Sequence, residues 1–264
     1  MSGAGELSMA LLDFEIALGN LVRARSTVPL SALHLDAAEI SCLESLKTSA
    51  GFEFTVGVQR SWCVGRATRA GSFSFSVLSK EQRRQLLDEW VEAGGGTSSF
   101  FAAESEALLE FVAGRLPHPS HELTACRFEQ ATLRANQSSG GFVAPDDGIL
   151  FDPGCTVRRG PHAAMVAFYG EPSAIVQALV KNEGLPSMSA DTTNMLFGPG
   201  LDRLWRVASA RETELWQRLA ETTPLSAILS EGYSRGDLAP LLREGIVSAG
   251  PSTYPEPEPS APSA

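Results

Sequence analysis

Met195-Leu196-Phe197 and Leu204-Trp205-Arg206-Val207 are short apolar runs on either side of Gly198-Pro199-Gly200. They read as two short strands joined by a turn. Three short helical segments follow. The first carries Glu214, Leu215, Trp216 and Leu219. The second runs from Leu225 to Leu229 and is stopped by Gly232. The third runs from Ser234 to Arg243, with Leu238, Leu241 and Leu242 at helical spacing. Gly245-Ile246-Val247 closes the stretch. Strands, then three short helices, then a terminal apolar strand predict a winged-helix-like α+β unit. Trp205 reads equally well as core.

Upstream, residues 142–200 are rich in Gly, Pro and Asp. Within them Ala163 to Tyr169 reads as a buried strand and Ser173 to Lys181 as one short helix. Ser138-Ser139-Gly140-Gly141 is a linker signal. Before it the texture is helical. Leu7, Leu11, Phe14, Leu18 and Leu21 form one stripe, and Asp36-x-x-Glu39 has capping-box spacing ahead of Ile40, Leu43 and Leu46. Phe54, Val58, Trp62 and Gly65 suggest another helix. Strand is an alternative for its beginning, because Phe52, Phe54, Val56 and Val58 also alternate. Phe73 and Phe75 alternate with serines and read as a short strand or extended link. Ser79 caps a helix through Leu86, Leu87, Trp90 and Val91, ended by Gly94-Gly95-Gly96. Ser98 or Ser99 starts the next, and Ser120 caps one from His121 to about Asn136. The expected organisation is a helical bundle over 1–137, an α+β peptide-recognition domain over 138–249, and a disordered Pro-rich tail over 250–264.

Composition narrows the function classes. The chain has 264 residues, 43% of them hydrophobic, with 21 basic against 31 acidic side chains and a net charge of −10. That apolar share suits a packed globular core. A nucleic-acid binder ordinarily carries a basic footprint, so the acidic balance argues against one. No apolar run approaches the ~18 residues of a membrane helix. No Lys or Arg precedes the first apolar stretch, so a secretory leader is not expected. Cys42, Cys63, Cys126 and Cys155 are widely spaced, with no C-x-x-C pair. They read as free, buried thiols in a reducing cytoplasm.

Few residues carry a chemical signature. His118-x-x-His121 has Pro119 between its histidines and no acidic partner in register, so it reads as an exposed loop entering a helix and not as a metal site. Gly94-Gly95-Gly96-Thr97 lacks the Lys of a phosphate-binding loop. Cys63 and Cys126 have no base beside them in sequence. Two helical stripes combine arginines with polar and aromatic residues: Gln59, Trp62, Arg66 and Arg69, beside Arg60, and Arg127, Gln130 and Arg134. Guanidinium forks of this kind grip a carboxylate or an acidic peptide, or else pair with acids inside the bundle.

Leu12-Asp13-Phe14-Glu15-Ile16-Ala17-Leu18-Gly19, Val58-Gln59-Arg60-Ser61-Trp62-Cys63, Leu123-Thr124-Ala125-Cys126-Arg127-Phe128-Glu129-Gln130, and Leu204-Trp205-Arg206 through Glu244-Gly245-Ile246 carry a resemblance. Through them the chain resembles the MbnC- and TglI-type partner subunits of multinuclear non-heme iron-dependent oxidases, which act in methanobactin and thiaglutamate biosynthesis. The resemblance implies a heterodimer with a TIM-barrel oxidase that holds the iron. It also implies a recognition element for a ribosomal precursor peptide whose cysteine is modified. No cofactor, metal ligand or catalytic residue is then expected in this chain.

The expected peptide contacts are Leu204, Trp205 and Arg206 on the strand, Arg235 and Leu238 on the third helix, and Arg60, Arg66, Arg69, Arg127 and Arg134 on the two arginine helices. Alternatives are a winged-helix DNA-binding regulator and a stand-alone enzyme using the thiol of Cys63 or Cys126. Only Arg235 and Arg243, set against Asp237 and Glu244, offer basic charge on the third helix, which suits a peptide better than a phosphate backbone.

Overall fold

Six of the helices begin where a short polar side chain takes up a first free amide. Asp36 and Glu39 form a full capping box, as do Ser79 with Gln82, Ser209 with Glu212 and Ser234 with Asp237. Ser49 and Ser120 cap by their side chains alone. The computed structural model describes residues 3–23, 33–96 and 101–251, in two compact units, 1–116 and 117–264. Helices dominate the N-terminal half, and the strands lie in the C-terminal half.

The first unit holds α1 (Gly3–Val22), α2 (Ala37–Lys47), α3 (Ala50–Ala67), a 3-10 turn (Thr68–Ala70), α4 (Ser72–Ser76), α5 (Lys80–Glu92) and α6 (Phe101–Ala113). Its buried apolar residues include Ala17, Leu43, Ala67, Phe75, Trp90, Leu108 and Leu109. Three expectations change here. In α1, Leu11 is 60% exposed and the fully buried residue is Ala17. In α3 the period is helical from the start, so the alternating phenylalanines do not make a strand. Phe73 and Phe75 lie on one short helix, because Phe75 donates its amide to Gly71 and buries its ring beside that glycine. The expected start at Ser98 or Ser99 lies outside the described residues.

The second unit begins with α7 (His121–Ser139), a 3-10 turn (Asp147–Phe151), β1 (Cys155–Arg159), β2 (Ala164–Phe168), α8 (Pro172–Lys181), β3 (Thr193–Phe197) and β4 (Trp205–Val207). It continues with α9 (Ala210–Arg218), β5 (Thr223–Pro224), α10 (Leu225–Ser230), α11 (Arg235–Arg243) and β6 (Val247–Pro251). The unit boundary thus falls before the linker read at 138–145. The physical reason is Phe128 of α7, whose ring meets Phe168, Phe197 and Trp205 edge-on at 6.0, 5.6 and 6.4 Å. That joins α7 to the strands that follow it.

The strands form two antiparallel sheets, ordered β2-β3-β4 and β5-β1-β6. In the first, Leu196 faces Arg206 and Phe197 faces Trp205. In the second, Val157 of β1 lies between Thr223 and Ala249. The two runs at 195–197 and 204–207 are therefore a hairpin of one sheet, while the three short helices pack on the other. Leu215, Ile228, Leu238, Leu241, Leu242, Ile246 and Val247 fill the layer behind β1. Gly250 and Pro251, read as the start of a disordered tail, instead pair with Thr156 and Cys155 at the end of β6. Residues 252–264 lie outside the described residues.

Glycines let the hairpin turn meet the end of α11. A Cβ on Gly198 would sit 2.5 Å from the Glu244 carbonyl oxygen, and one on Gly200 would sit 2.5 Å from that of Arg243. The Gly200 amide donates to the Glu244 carbonyl at 3.1 Å. Only residues without a side chain allow this backbone approach.

Phe128→Ala removes the ring that binds α7 to β2, β3 and β4. It should lower unfolding free energy by about 3–5 kcal/mol, read as a shift of the urea midpoint. A change below about 1 kcal/mol would show that α7 is not part of this core.

Candidate functional site

Among the described residues, β4 is an edge strand of its sheet. Its neighbour β3 takes the alternate backbone groups: Leu204 accepts from Gly198 and Ala208 donates to Asn194. In an antiparallel ladder the intervening residues, Trp205 and Val207, turn their backbone groups outward. Among the described residues no backbone partner meets the amides of Trp205 and Val207 there. Val207 is 53% exposed, and of the exposed large apolar residues described, it alone lies in a strand. At the opposite edge, the Ala167 carbonyl of β2 accepts from the Thr124 hydroxyl of α7 at 3.1 Å.

Arg206 fixes where β4 lies. Its Nη2 donates to Glu212 at 2.6 Å and to Glu244 at 2.7 Å, Nε donates to both Glu244 oxygens, and Nη1 donates to Glu212 and to the Val207 carbonyl. One guanidinium thus ties the strand to the first turn of α9 and to the residue after α11. Hydrogen bonding to Glu212 pushes the Arg206 pKa up. Burial pushes the Glu212 carboxyl up, but the hydrogen bonds from Arg206 and Ser209 outweigh it and hold the group below its usual range. Glu212 and Glu244 were not among the expected site residues. The Ser209-x-x-Glu212 spacing signalled only a cap, and nothing in the sequence joins Arg206 to Glu244.

The ten expected contact residues do not converge. Arg60, Arg66 and Arg69 lie in the first unit and the other seven in the second. Arg60 pairs with Asp88, and Arg66 with the buried Glu104. Arg69 is exposed, with no ion-pair partner among the described residues. Arg127 donates to Gln130 at 2.7 Å, and Arg134 is half-buried on α7. Leu204 makes the turn into β4 with φ of 63°, and half-buried Trp205 meets the Phe128 ring edge-on. Leu238 is fully buried. It belongs to the core behind β1, because the amphipathic face of α11 turns inward there, and it offers no surface to a ligand. Arg235 donates to the Leu150 carbonyl at 2.7 Å and lies over the Phe151 ring, and Arg206 is spent on its two glutamates. Of the proposed strand contacts, Trp205 keeps its outward amide without a backbone partner among the described residues, as does the neighbouring Val207, whose carbonyl takes Arg206.

The other reactive groups are held by the chain. Cys63 is buried, donates to the Gly96 carbonyl at 3.2 Å, and has its thiol pKa pushed up by burial and by Glu104. Cys155 is likewise pushed up by burial, and Cys126 is buried. Cys42 is exposed, contrary to the expectation that all four are buried, because its position on α2 turns outward. His121 is buried at the first position of α7 with Nε2 bonded to the Pro186 carbonyl at 2.9 Å, so it is not in an exposed loop. His118 turns instead to the Tyr169 hydroxyl at 3.2 Å. Among the described residues no three His, Cys, Asp or Glu side chains gather as a metal-binding group. None of the described helices is long and apolar enough to cross a membrane.

No family model matches this chain, and no curated protein matches it.

Two measurements check this geometry. Glu212 keeps its charge to lower pH in the folded than in the unfolded chain. Its stabilisation is complete above the ordinary Glu pKa of about 4.3 and is lost as pH falls through the lower folded value. Glu212→Gln should therefore be less stable than the parent near neutral pH, with the gap in urea midpoint closing below a pH of about 4. A gap that persists into acid would contradict the ion pair. A thiol reagent at neutral pH should label Cys42 rapidly and the other three cysteines only on unfolding. Fast labelling of Cys63 would contradict its burial.

Proposed function

We propose that this chain is a peptide-binding subunit, without a reactive centre of its own, that partners a multinuclear iron oxidase and presents it with a cysteine of a ribosomal precursor peptide. The observation that carries the peptide reading is the open edge of β4, with the Trp205 and Val207 amides turned outward and the exposed Val207 side chain between sheet and solvent. An extended segment laid along such an edge gains main-chain hydrogen bonds, and alternate side chains supply selectivity. Arg206 holds β4 firmly beside the ends of α9 and α11, so little ordering cost falls on the receiving strand. The partnership with an oxidase rests on the sequence resemblance. Iron would sit in the oxidase, and the thiols of this chain, three of them buried, are not drawn into the chemistry.

The layout of α9, β5, α10, α11 and β6, with β1 between β5 and β6, supports a winged-helix-like reading in which the wing strand comes from upstream. That layout also serves DNA binding. The charges favour peptide over DNA. Arg235 is occupied by Leu150 and Phe151, Arg243 lies by Asp147, and Arg211 pairs with Asp237, so α11 has few cations left for phosphates.

Val207→Pro removes one outward amide and leaves the β3 ladder intact, since that amide takes no part in it. Fluorescence anisotropy with a labelled cysteine-containing precursor peptide of the methanobactin or thiaglutamate type should show binding by the parent, weakened about tenfold or more by the variant. Equal affinity of parent and variant would move the peptide off β4. Co-expression with a TIM-barrel multinuclear iron oxidase of the MbnB or TglH type should yield a stable complex. Separate elution of the two at micromolar concentration would overturn the partnership.

A further inference from the structure

α3 carries an apolar row that is exposed in the structure. Phe54, Val58 and Trp62 follow at four-residue steps and are 74%, 43% and 69% exposed. Beside them runs a second four-residue row, Glu53, Gly57, Ser61 and Gly65, continued by Arg69 in the 3-10 turn that follows α3, exposed at every position. A groove of about 360 Å3 lies over Ser61, Trp62, Gly65, Arg66 and Arg69. Isolated exposed apolar residues need no explanation, but three large ones on one helical row do. Gly57 and Gly65 add to this. An added Cβ at either meets no atom within 4 Å, so no contact among the described residues requires glycine there. Glycine in a helix interior is nonetheless destabilising relative to alanine.

We propose that a second copy of this chain docks on this face, with the two α3 helices antiparallel and crossing at Ser61. Rows at four-residue spacing are the ridges that interdigitate in the commonest helix packing. Reversing the row against itself places Ser61 opposite Ser61, Gly57 opposite Gly65 and Glu53 opposite Arg69. The glycines let the backbones approach, the Phe54-Val58-Trp62 row of each copy covers the other helix, and the end charges pair twice. A parallel arrangement would set Arg69 against Arg69 and Glu53 against Glu53. Charge therefore selects both the partner and its direction, and the resulting interface is isologous, as a two-fold dimer requires. The net charge of −10 on each copy opposes association, but that repulsion is screened beyond about 8 Å at physiological salt, whereas contacts across the helix pair are shorter.

Sedimentation equilibrium of the full chain over a range of concentrations tests this. The parent should fit a monomer–dimer equilibrium. Gly65 is exposed and a Cβ there meets no atom within 4 Å, so Gly65→Leu, with its fold checked by circular dichroism, should raise the dissociation constant about tenfold or more by holding the helices apart. Arg69→Glu should weaken the dimer through two like-charge contacts, and Glu53→Arg combined with Arg69→Glu should restore it. A parent that stays monomeric throughout, whether or not the face binds some other macromolecule, overturns the proposal. So does a dimer that Gly65→Leu leaves unchanged. Failure of the double reversal to restore the dimer would overturn the antiparallel pairing.

Discussion

One guanidinium organises the C-terminal unit. Arg206 reaches from the middle of a three-residue strand to Glu212 at the start of α9 and to Glu244 just past α11. Exposed pairs such as Lys47 with Glu44 or Arg84 with Glu81 contribute about 0–1 kcal/mol. The Arg206 network is different in kind, because all three side chains are at most 30% exposed and the guanidinium serves two carboxylates at once. Removing one partner would strand a half-buried charge, which costs several times more than an exposed pair. The backbone approach at Gly198 and Gly200 acts in the same direction, pressing the hairpin turn onto residues 243–244. Together they fix one side of β4 and leave the other side open.

The first unit is held by a different device. Glu104 is buried on α6 and pairs with Arg66 of α3, while the Gly96 backbone closes over Cys63. These contacts consume two groups that the sequence offers as reactive or ligand-binding, an arginine and a thiol. The same helix that turns Cys63 and Ala67 inward turns Phe54, Val58 and Trp62 outward.

Much of the architecture was legible. Capping residues at Asp36, Ser79 and Ser120, glycines after the helices and the apolar triplets of β3 and β4 gave element types nearly everywhere they were read. Three things were not legible, each for a physical reason. The pattern at 72–76 alternates like a strand, yet the burial of Phe75 beside Gly71 makes a helical turn cheaper. β1 lies in a Gly- and Asp-rich stretch whose strand character comes from its long-range pairing with 247–251. The site residues were harder still. Helical spacing finds arginines, but whether each is free depends on acids distant in sequence: 28 residues separate Arg60 from Asp88 and 38 separate Arg206 from Glu244. Leu238 looked like a contact for the same reason, since a helical stripe does not say which side carries the core.

The claim at the centre of this account is that β4 accepts a further strand on its free edge. Residue-resolved amide hydrogen exchange on the full chain, with and without the precursor peptide, reads this directly. Strand addition predicts slowed exchange at Trp205 and Val207 on peptide binding, with little change at Arg206, whose amide already faces β3. Binding that leaves the Trp205 and Val207 amides exchanging as fast as before would contradict it.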